Sequence, residues 1–128
     1  MKTEKTEQVL NFCCEMGRQL IQNGAEIYRV EDSINRLLTA YGYRDTEVFA
    51  IPSCVILNIL HEGHNYTKSI RIRSSFINLD KLERLNSLCR RVCRDQPEPE
   101  EEALQAQLEA LQAAYGDSLV SYPSGQDA

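Results

Sequence analysis

The sequence predicts an α+β fold: two amino-terminal helices, a small three-stranded antiparallel sheet, and two carboxyl-terminal helices. Three observations carry this. Apolar residues recur at helical spacing up to Tyr41, the pattern changes to β-branched and alternating runs between Glu47 and Arg73, and helical spacing returns at Leu79.

From Glu7 to Gln22 the apolar positions Val9, Phe12, Cys13, Met16 and Leu20 form one stripe, which Asn23 and Gly24 terminate. A second stripe, Ile27, Val30, Ile34, Leu37, Leu38 and Tyr41, starts at Ala25 and stops at Gly42, so the two helices form a tight hairpin. Glu47 to Ile51 and Cys54 to Leu60 are rich in Val, Ile and Phe and are separated by Pro52-Ser53, which reads as two strands and a turn. Glu62 to Asn65 reads as the next turn. Tyr66 to Arg73 reads as a third strand, because Ile70 and Ile72 alternate with Arg71 and Arg73. Leu79, Leu82, Leu85, Leu88 and Val92 mark the third helix, with Asn78 or Asp80 as its cap and Arg90, Arg91 and Arg94 complementing its carboxyl end. Beyond Pro97 and Pro99, four glutamates in 98–102 favour a helix start, and Leu104, Leu108, Leu111 and Tyr115 continue it. The domain organisation expected is a single soluble domain over 1–115 with 116–128 as a flexible tail or truncated connector.

With 128 residues, 42% hydrophobic and 26% charged, the chain has room for one core and is neither collagen-like nor wholly disordered. No window reaches the length of an apolar membrane span, and Met1 to Gln8 lacks the apolar stretch of a signal peptide. The net charge of −5 divides unevenly: 14 basic and 12 acidic residues in 1–95, against 7 acidic and no basic ones in 96–128. A body at 14 − 12 = +2 is far from the basic footprint of a nucleic-acid-binding domain, so no nucleic-acid partner is expected. Cys13, Cys14, Cys54, Cys89 and Cys93 are odd in number and lack zinc-ligand spacing, which points to reduced, packed thiols and to neither metal nor cofactor.

The densest polar cluster opens the second helix: Glu26, Arg29, Glu31 and Asp32. Glu26 and Glu31 project about 140° apart on the helix, too divergent to act as a paired acid and base on one bond. Glu26 and Arg29 are spaced for a local ion pair. Arg71 and Arg73 fall on one sheet face, where a glutamate of the second helix can meet them, either locking helix to sheet or holding an anion; both readings are open. His61 and His64 read as members of an exposed turn rather than a metal site, and Tyr28, Tyr41 and Tyr43 as packing residues.

Gly24-Ala25-Glu26, Arg29-Val30-Glu31, Gly42, the strands with Pro52, Arg71 and the run Leu79 to Asn86 together resemble the soluble amino-terminal domain of the threonine/serine exporter family, over roughly residues 8 to 115. The resemblance implies a cytoplasmic domain that precedes membrane-spanning helices, in a protein exporting small amino acids or, in one branch, a dicarboxylate such as succinate. It also implies a hydrolase-like alternative, and it carries Glu26, Arg29 and Glu31 over by position. Expected partners are the membrane-spanning part of the same transporter or a partner subunit, a small amino acid or carboxylate ligand, and a second copy of the chain. The expected role is regulatory or coupling at the cytoplasmic face of the membrane, with no transport by this chain alone. A small hydrolase with Glu26 or Glu31 as general base and Arg71 as anion clamp, and a self-associating interaction module, are the competing readings. An excised domain is the expected reason for the absent spans.

Overall fold

The computed structural model describes residues 2–99, 102–115 and 122–123, with side chains over 5–99 and 106–113. The expected glutamates at 100 and 101, and the tail 116–128 apart from Tyr122–Pro123, lie outside these residues. The element order is α1 (Lys2–Gln22), α2 (Ile27–Ala40), β1 (Asp45–Ile51), β2 (Cys54–His61), β3 (His64–Arg71), β4 (Ser74–Ser75), α3 (Leu79–Asp95), α4 (Glu102–Tyr115) and β5 (Tyr122–Pro123). The α+β architecture is as the sequence predicts, with α1 starting earlier than its apolar stripe.

The first two helices end in the same way. The Ala25 N–H bonds the Leu20 carbonyl and Gly24 bonds Ile21, while Tyr43 bonds Leu38 and Gly42 bonds Thr39. Each pattern is a Schellman closure, and it needs a left-handed residue after the helix; Gly24 (φ 102°) and Gly42 (φ 92°) supply it without a side-chain clash. α3 begins under Asn78, whose Oδ1 accepts the Lys81 N–H at 3.0 Å, so Asn78 rather than Asp80 is the cap.

β1, β2 and β3 form an antiparallel meander in that order. The two connections are two-residue turns, Pro52-Ser53 and Glu62-Gly63. Both residues of the second have positive φ, as a type I′ hairpin requires. His64 and Asn65 are therefore strand residues, facing His61 and Leu60, rather than parts of a longer turn. The third strand also stops two residues earlier than its alternation suggests: Arg71 faces Cys54, the first residue of β2, and Ile72 turns to donate to the Ser53 carbonyl. A further two-residue ladder pairs β4 with β5.

The inner face of β2, Val55, Leu57 and Ile59, is fully buried under α1, while α2 lies along β1. α3 packs behind these helices through Leu85, Leu88, Cys89 and Val92, and α4 adds Leu108. α1 approaches closely at Gly17, where a Cβ would stand 2.8 Å from Ile34 Cδ1 and 3.5 Å from Val55 Cγ2. Lys81, buried in the first turn of α3, donates to Gln112 Oε1 on α4 at 2.7 Å.

Candidate functional site

α2 and α3 enclose an open groove of about 1080 Å³. Its floor holds Leu20, Val30, Leu82, Cys89 and Cys93, and its rim carries Glu26, Arg29, Asp32, Arg36, Arg90 and Arg94. The volume is at the upper end of small-molecule sites. The two acids and two of the cations are paired: Arg29 donates to Glu26 at 3.1 Å, and Arg36 to Asp32 at 2.9 Å. Arg94 pairs with Asp95, while Arg90 bonds the Ser87 hydroxyl at 3.1 Å. These pairs are largely exposed, so each contributes little to stability and leaves its charges available.

The motif at the start of α2 divides between two tasks. Gly24, Ala25, Glu26, Arg29 and Val30 line the groove. Glu26 stands at the amino-terminal boundary of α2 with extended backbone and no capping hydrogen bond from its side chain. Glu31 turns the other way: its Oε2 accepts the Ala50 N–H at 3.0 Å, on the edge of the sheet. Asn35, one turn further, meets Thr46 at 3.4 Å, so α2 runs antiparallel to β1 along that edge.

Glu31 is not brought to Arg71 or Arg73. Arg71 lies on the outer sheet face opposite Cys54, and Arg73 follows the end of the ladder; both are exposed, and among the described residues neither forms an ion pair. Glu26 and Arg29 do meet each other, as their spacing predicts. Arg90 and Arg94, which the sequence marks only as complementing the end of α3, and Arg36, which it does not mark, also line the groove. No periodicity reports which helix faces which.

Other candidates have local explanations. Tyr43 is buried and shares a 2.9 Å hydrogen bond with Thr6, and Tyr41 is half-buried with its hydroxyl on the Pro97 carbonyl. Tyr28 departs from its expected packing role: it is 63% exposed and stacks beside the Arg29 guanidinium. His61 and His64 face each other across β2 and β3 rather than sitting in a loose turn, and His61 rests edge-on against Tyr43. Among the described residues no group of three or more His, Cys, Asp or Glu is placed to hold a metal ion.

All five cysteines are unpaired thiols. Burial, reinforced by neighbouring thiols, raises Cys13 well above the usual range. Burial likewise pushes Cys14 and Cys89 up to about 12. Of these thiols Cys89 lines the groove, and there Cys93 is likewise raised by burial; a thiol held protonated in this way is a poor nucleophile.

No helix among the described residues is long and apolar enough to cross a membrane. Neither a curated protein nor a solved structure matches the chain. A family model described as "Putative threonine/serine exporter" matches residues 11–120, which include the groove motif, the sheet, α3 and α4. The chain therefore belongs to the threonine/serine exporter family.

Proposed function

We propose that this domain is the regulatory or coupling part of an exporter of small amino acids or a dicarboxylate, standing at the cytoplasmic face of the membrane, and that it does not transport by itself. The observation that carries the reading is the position of the family motif: Gly24, Ala25, Glu26, Arg29 and Val30 line the α2–α3 groove. The rim presents carboxylates and guanidiniums within a few turns of helix. That combination suits a zwitterionic amino acid, whose ammonium seeks Glu26 or Asp32 and whose carboxylate seeks Arg29, Arg36 or Arg90. A dicarboxylate would use the guanidiniums alone. Occupancy would bridge α2 to α3, and a change in their spacing is a displacement that a membrane-spanning partner can read.

The hydrolase alternative has no observation in its favour. Glu31 is committed to a peptide N–H, and Glu26 lies on a different side of α2.

The test is an amide chemical-shift titration of the chain with L-threonine, L-serine and succinate to about 10 mM, a range that covers weak millimolar binding. Shifts concentrated at Ala25, Glu26, Arg29, Asn86 and Arg90, and lost in Arg29→Ala, are expected for at least one solute. Absence of any shift, or shifts scattered away from the groove, would overturn the sensing role.

A further inference from the structure

One end of the molecule is defined by several independent contacts. Glu31 on Ala50 and Asn35 on Thr46 set the start of α2 beside the end of β1 and the Pro52-Ser53 turn. Ile72 donates to Ser53, while Phe76 and Asn78 donate to the Gln22 and Asn23 carbonyls, bringing the loop before α3 to the end of α1. Gln112, near the end of α4, meets Lys81 at the start of α3, and β5 pairs with β4. The chain's last described residues thus lie at this same end.

Six large apolar side chains are exposed here: Ile77 (78%), Leu79 (70%), Tyr28 (63%), Phe49 (54%), Ile51 and Ile56. Of the exposed large apolar residues described, only Leu60 lies toward the opposite end. The exposure of Ile77 is not a loose loop's doing, because backbone hydrogen bonds at 76 and 78 hold the segment on both sides, and Ile77 borders Gly24. A rigid backbone that presents apolar side chains to water is a docking surface waiting for a partner.

The charges narrow the partner. The acids Glu26 and Asp80 are each tied to an arginine, Arg29 and Arg84, and the Glu31 carboxylate accepts the Ala50 N–H. Arg71 and Arg73 form no ion pair among the described residues. The end therefore offers cations beside projecting aliphatic and aromatic groups. The most exposed residues are carried by separate elements, Tyr28 by the first turn of α2, Ile77 by the loop before α3 and Leu79 by the first residue of α3, which suits a deformable, anionic medium better than a rigid complementary protein.

We propose that this end is a lipid-docking tip: Ile77, Leu79 and Tyr28 enter the interfacial region of an anionic bilayer while Arg71 and Arg73 engage its phosphate headgroups. Tyrosine and arginine are suited to that boundary, since each has an apolar body and a polar end. The inference is independent of whether the α2–α3 groove binds a solute.

The test is sedimentation of the chain with vesicles of phosphatidylcholine containing phosphatidylglycerol, beside vesicles of phosphatidylcholine alone, with light scattering of the free protein in parallel. The chain is expected to partition onto the anionic vesicles. Arg71→Ala and Arg73→Ala should weaken partitioning about fivefold each, from about 1 kcal/mol per arginine near an anionic surface. Ile77→Asp with Leu79→Asp should weaken it about tenfold or more with an unchanged melting temperature, since both side chains are already in water. Leu60→Gln, at the opposite end, should leave it unchanged. Absence of parent binding, equal binding to neutral vesicles, or equal loss with Leu60→Gln would overturn the proposal. So would a dimer that the Ile77 and Leu79 substitutions dissolve, without any vesicle binding, because it would identify a second copy as the occupant.

Discussion

Replacing Glu31 by alanine removes the carboxylate that accepts the Ala50 N–H at 3.0 Å, a bond donated by a residue that is 4% exposed. A hydrogen bond to a charged acceptor contributes about 1.5–3 kcal/mol, and the buried donor left behind carries the desolvation cost. Alanine's better helix propensity returns at most a few tenths. The net loss expected is about 2 kcal/mol. In urea, with a slope near 2 kcal/mol/M for a domain of this size, the midpoint should fall by about 1 M at unchanged slope. Glu31→Gln keeps an acceptor without its charge and should lose about half as much. Amide exchange at Ala50 should quicken more in the alanine variant than in the glutamine variant. A midpoint shift below about 0.2 M for Glu31→Ala would refute the structural assignment of this carboxylate. So would full retention of the Ala50 exchange protection.

Three further outcomes follow from the packing and the charges. Gly17→Leu should destabilise by about 1–3 kcal/mol in thermal or urea unfolding. Gly17→Ala should come out close to neutral, because the one tight approach, 2.8 Å, is to the terminal methyl of Ile34, while Val55 at 3.5 Å is in ordinary contact. Arg29→Ala should change stability by no more than about 0.5 kcal/mol, its ion pair being exposed, while removing any solute-induced shifts in the groove. The Cys14 and Cys89 thiols, raised by burial from 9.0 to about 12, contribute stability that is intact below pH 9 and lost as pH rises from there toward 12. A Cys14→Ala/Cys89→Ala protein should therefore show a flatter alkaline limb in its stability curve, and an unchanged limb would remove these thiols as its cause.

The helices were legible because their apolar positions repeat at 3.6 residues and two glycines stand where left-handed backbone is needed. The strand ends were less so. Nothing local distinguishes His64-Asn65 as strand from the same pair as turn; the two-residue Glu62-Gly63 closure decides it. The alternation through Arg73 continues past the ladder because β2 has no residue left to pair beyond Cys54. At the site, the Glu26–Arg29 pair was readable because i, i+3 neighbours on a helix are fixed by its geometry. The destination of Glu31 was not. It depends on α2 lying along β1 and not along β3, and sequence periodicity says which face is apolar without saying which neighbour covers it. The groove depends in the same way on how far α2 and α3 stand apart.

The tight hairpin connections also set an order of events during folding. The meander closes through loops of two residues, and contacts so near in sequence form on the microsecond scale. The bond from Gln19 to the Leu108 carbonyl joins residues 89 positions apart and must await a far larger loop closure. The sheet and the α1–α2 hairpin can thus assemble while α4 is still unattached. Since the ribosome releases the chain in the same direction, the first half can form its own hydrogen-bonded framework before α4 has emerged.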